Sequence, residues 1–227
     1  MSKNIIKNNP IEDSIVLNKE ICEYAGALIG DGYLGIYGKK HNAHTIGLSG
    51  NQKLDEDYYK NYLIPLIKRN FNFVNPLLIY RKDENTIVLK IHSKRLLNFL
   101  TNKLNFTLGK KAYNIKIPKV ILKNKEFLYA TIKGIFDTDG CVFFDKRKIY
   151  KKPYPRITLQ IASVPLLEQL EKILSKEFKL YISKRGNNKN YLEIYGEQQL
   201  YKWIKIIGFS NKRHLDKIKK YASVAQW

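Results

Sequence analysis

Two aspartates close two similar stretches of the chain and are its leading candidates for chemistry. Asp31 stands before the last glycine of GALIGDG, and Asp139 has the same place in KGIFDTDG, 108 residues later. An acid at the C-terminus of a helix is unfavourable by roughly 0.3–1 kcal/mol, so a plain helix stop would sooner carry Lys or Arg. Two carboxylates held together must share a proton or bind a cation, and Mg²⁺ is commonly held by carboxylates and phosphate oxygens. The pair therefore predicts a metal site that acts on a phosphodiester.

The predicted helices that end at these aspartates each carry a stripe of small residues spaced four apart. Gly26 and Gly30 form the stripe in the first helix, and Gly134 and Thr138 form it in the second. Small residues at this spacing let two helix backbones approach closely. Helices that meet along these two stripes bring the two aspartates side by side at one end of the helix pair.

The elements around the two helices follow one order twice. Period-two alternation predicts the strands, and apolar residues at helical spacing predict the helices. The first copy has a helix over 18–32, strands over 33–38 and 44–49, a helix over 54–70, a hairpin over 77–92 and a helix over 94–104. The second copy has a helix over 126–140, strands over 141–149 and 156–162, a helix over 164–177, a hairpin over 179–195 and a helix over 197–207. The predicted fold class is α+β, with two αββαββα repeats related by a pseudo-two-fold axis.

The repeats define the domain organisation. We expect an N-terminal extension over 1–17, a first repeat over 18–104, a connecting segment over 105–125 and a second repeat over 126–227. The connecting segment has no Gly/Ser-rich spacer, which predicts a packed connection instead of a flexible linker. Pro65 lies deep enough within its helix to predict a kink there.

Charge is the strongest compositional feature. The chain has 41 Lys and Arg against 20 Asp and Glu, a net charge of +21, and 44% hydrophobic residues. This combination predicts a folded protein with a polyanionic partner, which favours nucleic acid. Two cysteines and four histidines lack the spacing of zinc ligands. With no apolar segment long enough for export or a membrane span, we expect no membrane partner and no secretion, and an intracellular location in prokaryotic cytoplasm or an organelle matrix.

The two acidic stretches resemble a known pair of motifs. YAGALIGDG (24–32) and IKGIFDTDG (132–140) are similar to the two motifs of the LAGLIDADG homing endonucleases, in the form that carries both in one chain. The resemblance implies that the motif helices form the interface and that the two antiparallel sheets form a saddle on the major groove of double-stranded DNA. It also implies that Gly30 and Thr138, which precede the two aspartates, take part in the metal site.

The same resemblance implies an activity. It predicts Mg²⁺-dependent hydrolysis of both DNA strands, leaving 3′ overhangs at a long, non-palindromic site. Mn²⁺ is expected to replace Mg²⁺, and Ca²⁺ is expected to support binding without cleavage. Because both repeats lie in one chain and have diverged, we expect a monomer.

A polar residue after the second strand of each repeat helps to organise catalytic water in this family, which makes Gln52 a candidate. In the second repeat, Gln160 has the same spacing from its aspartate, whereas Ser163 continues the inward phase of its strand. Strand parity favours Ser163 as the counterpart of Gln52 and leaves Gln160 for base recognition.

A basic residue near the scissile phosphate is also implied by the resemblance. LGKKAY (108–113) and FSNKRH (209–214) follow the last helix of each repeat, which aligns Lys111 with Lys212. Lys53, next to Gln52, is a third candidate. Each of these lysines equally fits a solvated charge that contacts phosphate without specificity.

Base recognition is expected from strand residues that face away from the core. Arg and Lys pair with guanine, and Gln pairs with adenine, on the edges of the major groove. Strand parity selects Tyr37, Lys39 and Lys90 in the first repeat, and Arg147, Arg156, Thr158, Gln160, Ser183 and Arg185 in the second.

Two other functions fit the same fold. One is an intron RNA maturase, with or without cleavage of DNA, and the other is a DNA-binding regulator that lacks catalysis. Both aspartates are intact, which argues against the regulator. Binding of folded intron RNA or of duplex DNA separates the remaining two.

Overall fold

The computed structural model describes residues 15–39, 42–81, 84–109, 113–185 and 189–225. The first repeat contains α1 (Lys19–Asp31), β1 (Gly32–Tyr37), β2 (Ala43–Asn51), α2 (Gln52–Asp57), α3 (Ile64–Asn70), β3 (Leu77–Arg81), β4 (Thr86–His92) and α4 (Lys94–Asn98). The second contains α6 (Lys125–Thr138), β5 (Gly140–Asp145), β6 (Tyr154–Ile161), α7 (Val164–Leu174), β7 (Leu180–Arg185), β8 (Lys189–Tyr195) and α8 (Glu197–Ile206). A short helix, α5 (Lys119–Leu122), lies between the repeats, and α9 (Lys212–Ala225) follows them.

Each repeat forms a four-stranded antiparallel sheet of the same topology. The strand orders are β1-β2-β4-β3 and β5-β6-β8-β7. The registers are equivalent as well, since Leu34 pairs with Ile46 in one sheet and Val142 pairs with Ile157 in the other. These apolar residues are buried, while their neighbours along each strand point to the opposite, outer face of the sheet. The predicted fold class, two αββαββα repeats, is confirmed.

The helical stretch from Gln52 to Asn70 changes its hydrogen-bonding pattern just before Pro65. A π-helical segment, Tyr58–Leu63, separates α2 from α3, and α4 is similarly followed by a π-helical segment, Phe99–Lys103. Proline has no amide hydrogen, and its ring crowds the carbonyl of the preceding turn. The π-helical segment Phe99–Lys103 contains no proline, so the π-helical pattern does not by itself follow from Pro65, and the kink at Pro65 stays a prediction.

Two segments outside the repeated plan pack across the molecule. In the connecting segment, the backbone carbonyl of Ile115 accepts a hydrogen bond from the Ser163 hydroxyl at 2.8 Å, and the side chain of Gln169 bonds to the backbone of Ile117. Helix α9 lies against α2 of the first repeat and against β5 of the second. The sequence did not predict α9, and this helix contributes to the site described below.

The apolar core is continuous across both repeats and includes Leu28 of α1, Ile132 of α6 and Leu159 of β6. It lies between the motif helices and the inner faces of both sheets. Among the described residues, no helix has the length and apolar character required to cross a bilayer.

Candidate active site

The two motif helices, α1 and α6, meet backbone to backbone at their glycines. A methyl group on Gly26 would lie 2.0 Å from the carbonyl oxygen of Thr131, and one on Gly134 would lie 2.1 Å from the carbonyl oxygen of Glu23. Both distances are too short for any real contact, so a side chain at either position would force the helices apart. The contact is reciprocal, as a pseudo-two-fold axis between the helices requires.

The C-terminal ends of these helices bring Asp31 and Asp139 together. A methyl group on the adjacent Gly30 would lie 2.1 Å from Oγ1 of Thr138 and 3.3 Å from Cγ of Asp139. Burial, the charge of Asp139 and a hydrogen bond between the two carboxyl groups raise the pKa of Asp31 to about 8. At neutral pH the metal-free pair therefore retains a proton.

An ion pair between the first and second repeats lies beside the two aspartates. Nη1 of Arg213, in α9, is 2.9 Å from Oδ1 of Asp55, in α2, and the side chains are only 16% and 5% exposed. Both charges act on the aspartate pair, because Asp55 raises the pKa of Asp31 further and Arg213 opposes that shift.

The guanidinium of Arg213 also closes the C-terminal end of α6. Its Nη2 donates to the carbonyl oxygen of Asp137 at 3.0 Å, to that of Thr138, and to that of Gly140 at 3.4 Å. Burial lowers the pKa of His214 to about 3, and its neutral ring accepts a hydrogen bond from Nε of Arg213. Carbonyl groups at a helix C-terminus carry partial negative charge. The cation that they favour is supplied here by a different helix.

The three candidate lysines have different outcomes. The prediction for Lys212 is corrected, because its side chain is 57% exposed and its ammonium pairs with Asp216, one turn further along α9. Lys53 is exposed at the start of α2, and its catalytic role stays a prediction. Lys111 lies outside the described residues. The alignment of 209–214 identified the correct segment, but Arg213 is the residue that reaches α6.

The corners after β2 and β6 agree in register but differ in their helix caps. Ile46 and Ile157 hold equivalent positions in the two sheets, and Gln52 and Ser163 each follow six residues later, in keeping with the predicted match. The side chain of Asn51 caps α2 by accepting hydrogen bonds from backbone amides of its first turn, and Ser163 caps α7 in the same way, so the cap of the first repeat lies one residue before Gln52. The catalytic roles of Gln52 and Ser163 stay predictions.

A cavity of about 410 Å³ opens next to Asp139 in the second repeat. Its polar lining comes from Asp139, Gln160 and Ser163, and apolar residues of α1, α6, β6, α7 and the connecting segment form the rest. Gln160 is exposed, and its Oε1 accepts a hydrogen bond from the hydroxyl of Tyr191 at 3.1 Å. Gln160 thus lies both near Asp139 and on the outer face of its sheet.

The donors at the helix ends suit a hard divalent cation. Asp31 is half-buried and Asp139 is exposed. Their carboxyl groups are in contact, which favours a bound cation, and carboxylate oxygens are ligands that Mg²⁺ and Ca²⁺ prefer. In the described part of the chain no three His, Cys, Asp or Glu residues form a metal-binding group, so the fit rests on the aspartate pair. The predicted part of Thr138 in the metal site stays a prediction. Its hydroxyl donates to the carbonyl of Gly134 at 3.1 Å, and its own carbonyl accepts from Arg213.

The outer face of the first sheet carries tyrosine rings laid over glycines. A methyl group on Gly47 would come within 2.3 Å of the ring of Tyr33, and one on Gly35 within 2.5 Å of the ring of Tyr37. Tyr37 is 52% exposed, and Lys39 is exposed in the turn that follows. Both residues thus lie on the surface where base recognition was predicted.

Aliphatic side chains complete this outer face at β3. Leu77 and Ile79 are 46% and 40% exposed. Their partners in the register are Lys90 and Val88 of β4. Lys90 is half-buried in the sheet, and its predicted contact with a base stays a prediction.

The outer face of the second sheet is organised around a buried acid. Asp145 accepts hydrogen bonds from Arg147, and its Oδ2 lies 2.9 Å from Nη2 of Arg156. The guanidinium of Arg156 also lies 4.5 Å from the ring centre of Tyr195, and its side chain is only 14% exposed. The prediction that Arg156 reads a guanine is corrected, because its guanidinium is held within the sheet by Asp145 and Tyr195. Arg147, 61% exposed, is the arginine of this cluster that reaches solvent.

The remaining predicted base-reading residues follow the register. Thr158 pairs with Cys141 and Glu193, and Ser183 pairs with Tyr191, so both belong to the outer face. Arg185 ends β7, and its side chain lies outside the described part of the chain.

Residues 126–208, which form most of the second repeat, match the family model of the LAGLIDADG-like domain. Over 85–95% of its length the chain has the fold of single-chain LAGLIDADG homing endonucleases, with two motif helices at its centre and two equivalent sheets. The resemblance found in the motifs is therefore confirmed.

Two curated relatives come from Methanocaldococcus jannaschii. A probable translation initiation factor IF-2 is 32% identical over 145 residues, which are 63% of this chain and 12% of that protein. A replication factor C small subunit is 28% identical over 207 residues, which are 88% of this chain and 10% of that protein. This chain thus spans about a tenth of the length of the curated relatives that it matches.

Solved structures give the same fold at low sequence identity. I-DmoI in complex with DNA and Mn is 18% identical, with a TM-score of 0.61, and the match covers 85% of this chain and 98% of that one. The homing endonuclease I-WcaI bound to its DNA recognition sequence is 17% identical, with a TM-score of 0.58 and coverage of 95% of both chains. The LAGLIDADG meganuclease I-AabMI bound to uncleaved DNA is 13% identical, with a TM-score of 0.58, and the match covers 92% of this chain and 90% of that one.

Sequence reasoning missed Arg213 and Asp55. Neither residue lies in a motif, and 158 positions separate them in the chain. The available signal was the segment 209–214, which was selected for its lysine. Arg213 directly follows Lys212, and in so basic a chain the sequence offered no reason to prefer the arginine to the lysine.

Proposed function

We propose that this protein is a metal-dependent endonuclease that cleaves both strands of a specific DNA site. The observation that carries the proposal is the contact between Asp31 and Asp139 at the paired ends of α1 and α6. Such a pair at the junction of two equivalent sheets places one set of acids between two DNA-reading surfaces. A purely structural role does not account for two acids held together at a helix interface.

The partner follows from charge and from the relatives. The net charge of +21 favours a polyanion, and the two outer faces offer tyrosine, lysine and arginine side chains to it. The structures of I-DmoI with DNA and Mn, and of I-WcaI on its DNA recognition sequence, support duplex DNA as that polyanion.

The roles of this chain's residues follow from their positions. Asp31 and Asp139 bind the cation, which when bound supplies charge stabilisation at the scissile phosphate and an activated water. Gln52, at the start of α2, orients water on the side of the first repeat. Lys53 and Tyr37 contact the DNA backbone and bases near the same strand ends.

The finer features are part of the proposal. Mg²⁺ is the working cation, Mn²⁺ replaces it, and Ca²⁺ supports binding without cleavage, in keeping with complexes of I-DmoI that contain Mn, Ca and Mg. The protein acts as a monomer on a long, non-palindromic site and leaves 3′ overhangs. The unlike outer faces of the two sheets support the lack of a palindrome.

Selection of cleaved sites from a randomised duplex library, with Mg²⁺ present, tests this function. We expect one non-palindromic consensus and no products in excess chelator. The double variant Asp31→Asn/Asp139→Asn is the matched control, and it should bind the selected duplex without cutting it. Unchanged cleavage by this variant or in chelator would refute the metal mechanism. Binding of folded intron RNA in preference to every duplex would replace the proposal with a maturase.

A further inference from the structure

A buried polar bridge connects the end of α6 to the first corner of the other repeat. Arg213 contacts the carbonyl groups at the end of α6, directly before and after Asp139. The same guanidinium pairs with Asp55 at 2.9 Å. The second oxygen of Asp55 accepts a hydrogen bond from the backbone amide of Asn51 at 2.8 Å. A chain of contacts therefore leads from the residue before Asp139 through Arg213 and Asp55 to the corner that carries Gln52.

Asn211 makes a second connection between Asp55 and the end of α6. Its Nδ2 donates to Oδ1 of Asp55 at 3.1 Å and to the carbonyl oxygen of Asp137 at 2.9 Å. Its backbone amide donates to the carboxylate of Asp137 at 3.0 Å. Asn211 is 1% exposed and Asp55 is 4% exposed, so the bridge is shielded from water. Buried polar groups with their partners satisfied fix a single arrangement of the elements that carry them.

We propose that Arg213 is a positioning residue, which together with Asp55 fixes Asp139 relative to the corner after β2. This inference rests on the proposed nuclease function, in which Asp139 binds the cation and Gln52 orients water. Arg213 does not touch the scissile phosphate in this proposal. Its part is to hold the end of α6, so that both carboxylates meet the cation in one geometry.

The geometry explains why an arginine suits this position. One guanidinium must reach a carboxylate on one side and several carbonyl groups on the other, and its fork of donors does so in fixed directions. A lysine ammonium keeps the charge next to Asp55 but lacks the second set of directed donors. Replacement by lysine should therefore keep the fold and loosen the end of α6, whereas replacement by alanine leaves Asp55 buried without its charge partner.

The test compares Arg213→Lys with Lys212→Ala, using the full chain and the selected duplex. Lys212 is the matched control, because it is the preceding cation on α9 but pairs with Asp216 at the surface. We measure the binding of Mn²⁺ to the protein–DNA complex by electron paramagnetic resonance, DNA affinity in Ca²⁺, thermal unfolding, and the single-turnover cleavage rate in Mg²⁺.

We expect Arg213→Lys to raise the Mn²⁺ midpoint about tenfold and to slow cleavage by about 10²-fold, since small misplacements of catalytic groups have effects of this size. DNA affinity and the unfolding temperature should stay close to those of the unmodified protein. Lys212→Ala should leave all four measurements unchanged. Asp55→Asn should reproduce the Mn²⁺ and cleavage effects. The double variant should be no more impaired than the more impaired of the two single variants.

Three results would overturn the inference. Equal losses of DNA affinity and cleavage with an unchanged Mn²⁺ midpoint would make Arg213 a phosphate contact. A lower unfolding temperature with normal Mn²⁺ binding and cleavage would make it purely structural. Equal effects in Lys212→Ala would show that only general charge matters. If the unmodified protein cleaves no duplex, the proposed function fails, yet Mn²⁺ midpoints measured on the protein without DNA still decide whether Arg213 positions Asp139.

Discussion

The outer faces of the two sheets differ in chemistry although their strands match in order and register. The first face combines tyrosines packed over glycines with the exposed aliphatic side chains of Leu77 and Ile79. The second face is built around Asp145, which holds Arg147 and Arg156, with Tyr195 beneath the second guanidinium. Between the sheets, each motif helix ends at one aspartate, Asp31 or Asp139, although Arg213 contacts only the end of α6.

The pseudo-two-fold symmetry is required at the contact between the motif helices but not on the outer faces of the sheets. The helix contact requires glycine on both sides, because a methyl group at Gly26 or Gly134 would lie 2.0 or 2.1 Å from a carbonyl oxygen of the facing helix. The outer faces have no such constraint, because an outward side chain contacts only its sheet neighbours and a ligand. Paired acids at the centre and unlike outer faces at the sides agree with the proposed cleavage of both strands in a non-palindromic site.

The largest expected effect tests the equality of the two helix ends. Asp31→Asn and Asp139→Asn should each reduce double-strand cleavage by about 10³-fold or more, because each removes a metal ligand that supports several kcal/mol of transition-state stabilisation. DNA affinity in Ca²⁺ should be retained. A strand-resolved cleavage assay measures this, and appreciable double-strand cleavage by either variant would break the comparison.

The two corners should respond differently. Gln52→Ala should slow cleavage by roughly tenfold to a hundredfold without a change in stability, because a water-orienting group is lost. Ser163→Ala should leave the cleavage rate nearly unchanged but destabilise the fold by about 1–2 kcal/mol, through loss of a helix cap and of the bond to Ile115. Cleavage kinetics and urea unfolding check both variants, and a loss of cleavage without a loss of stability in Ser163→Ala would show that Ser163 acts in catalysis as Gln52 does.

A smaller effect concerns pH. The folded protein holds a proton on the Asp31–Asp139 pair up to pH about 8, whereas a free aspartate in the unfolded chain loses it near pH 4. The folded state therefore binds more protons between these values, so this pair makes stability fall as pH rises from about 4 to about 8 and level off above.

Thermal unfolding of the metal-free protein over pH 5–9 measures this dependence. Asp31→Asn and Asp139→Asn should both reduce the downward slope, because either change removes the like-charge pair. A slope that is unaltered in both variants would show that the pair does not hold the proton.

The smallest effect separates the two outer faces directly. Aliphatic side chains in the major groove fit the methyl group of thymine. Replacing thymine by deoxyuridine in the half-site under the first sheet should weaken binding about fourfold per contacted methyl, or ~0.8 kcal/mol. The variant Leu77→Ser/Ile79→Ser should abolish this dependence. Equal sensitivity in the half-site under the second sheet would contradict the assignment of apolar reading to the first.

The fold and the acid pair could be predicted because they depend on local patterns. The motif glycines, the alternation in β1 and β6, and the repetition of one element order are all visible within short windows of sequence. Contacts between residues distant in sequence were harder to predict, because such contacts produce no periodic pattern in the sequence. Arg213 pairs with Asp55 across the two repeats, and Arg156 faces outward by parity but is held by Asp145. Parity gives the direction of a side chain and not the partner that holds it.

The same cross-repeat contacts set an order for assembly of the chain. Each sheet joins strands that are close in sequence, so loop closure within a repeat restricts few residues. The bond between Asn211 and Asp55 closes 156 residues, and that between Ser210 and Glu23 closes 187. The hairpins of both repeats can therefore form before α9 docks, and the aspartate pair reaches its final surroundings only when α9 is in place.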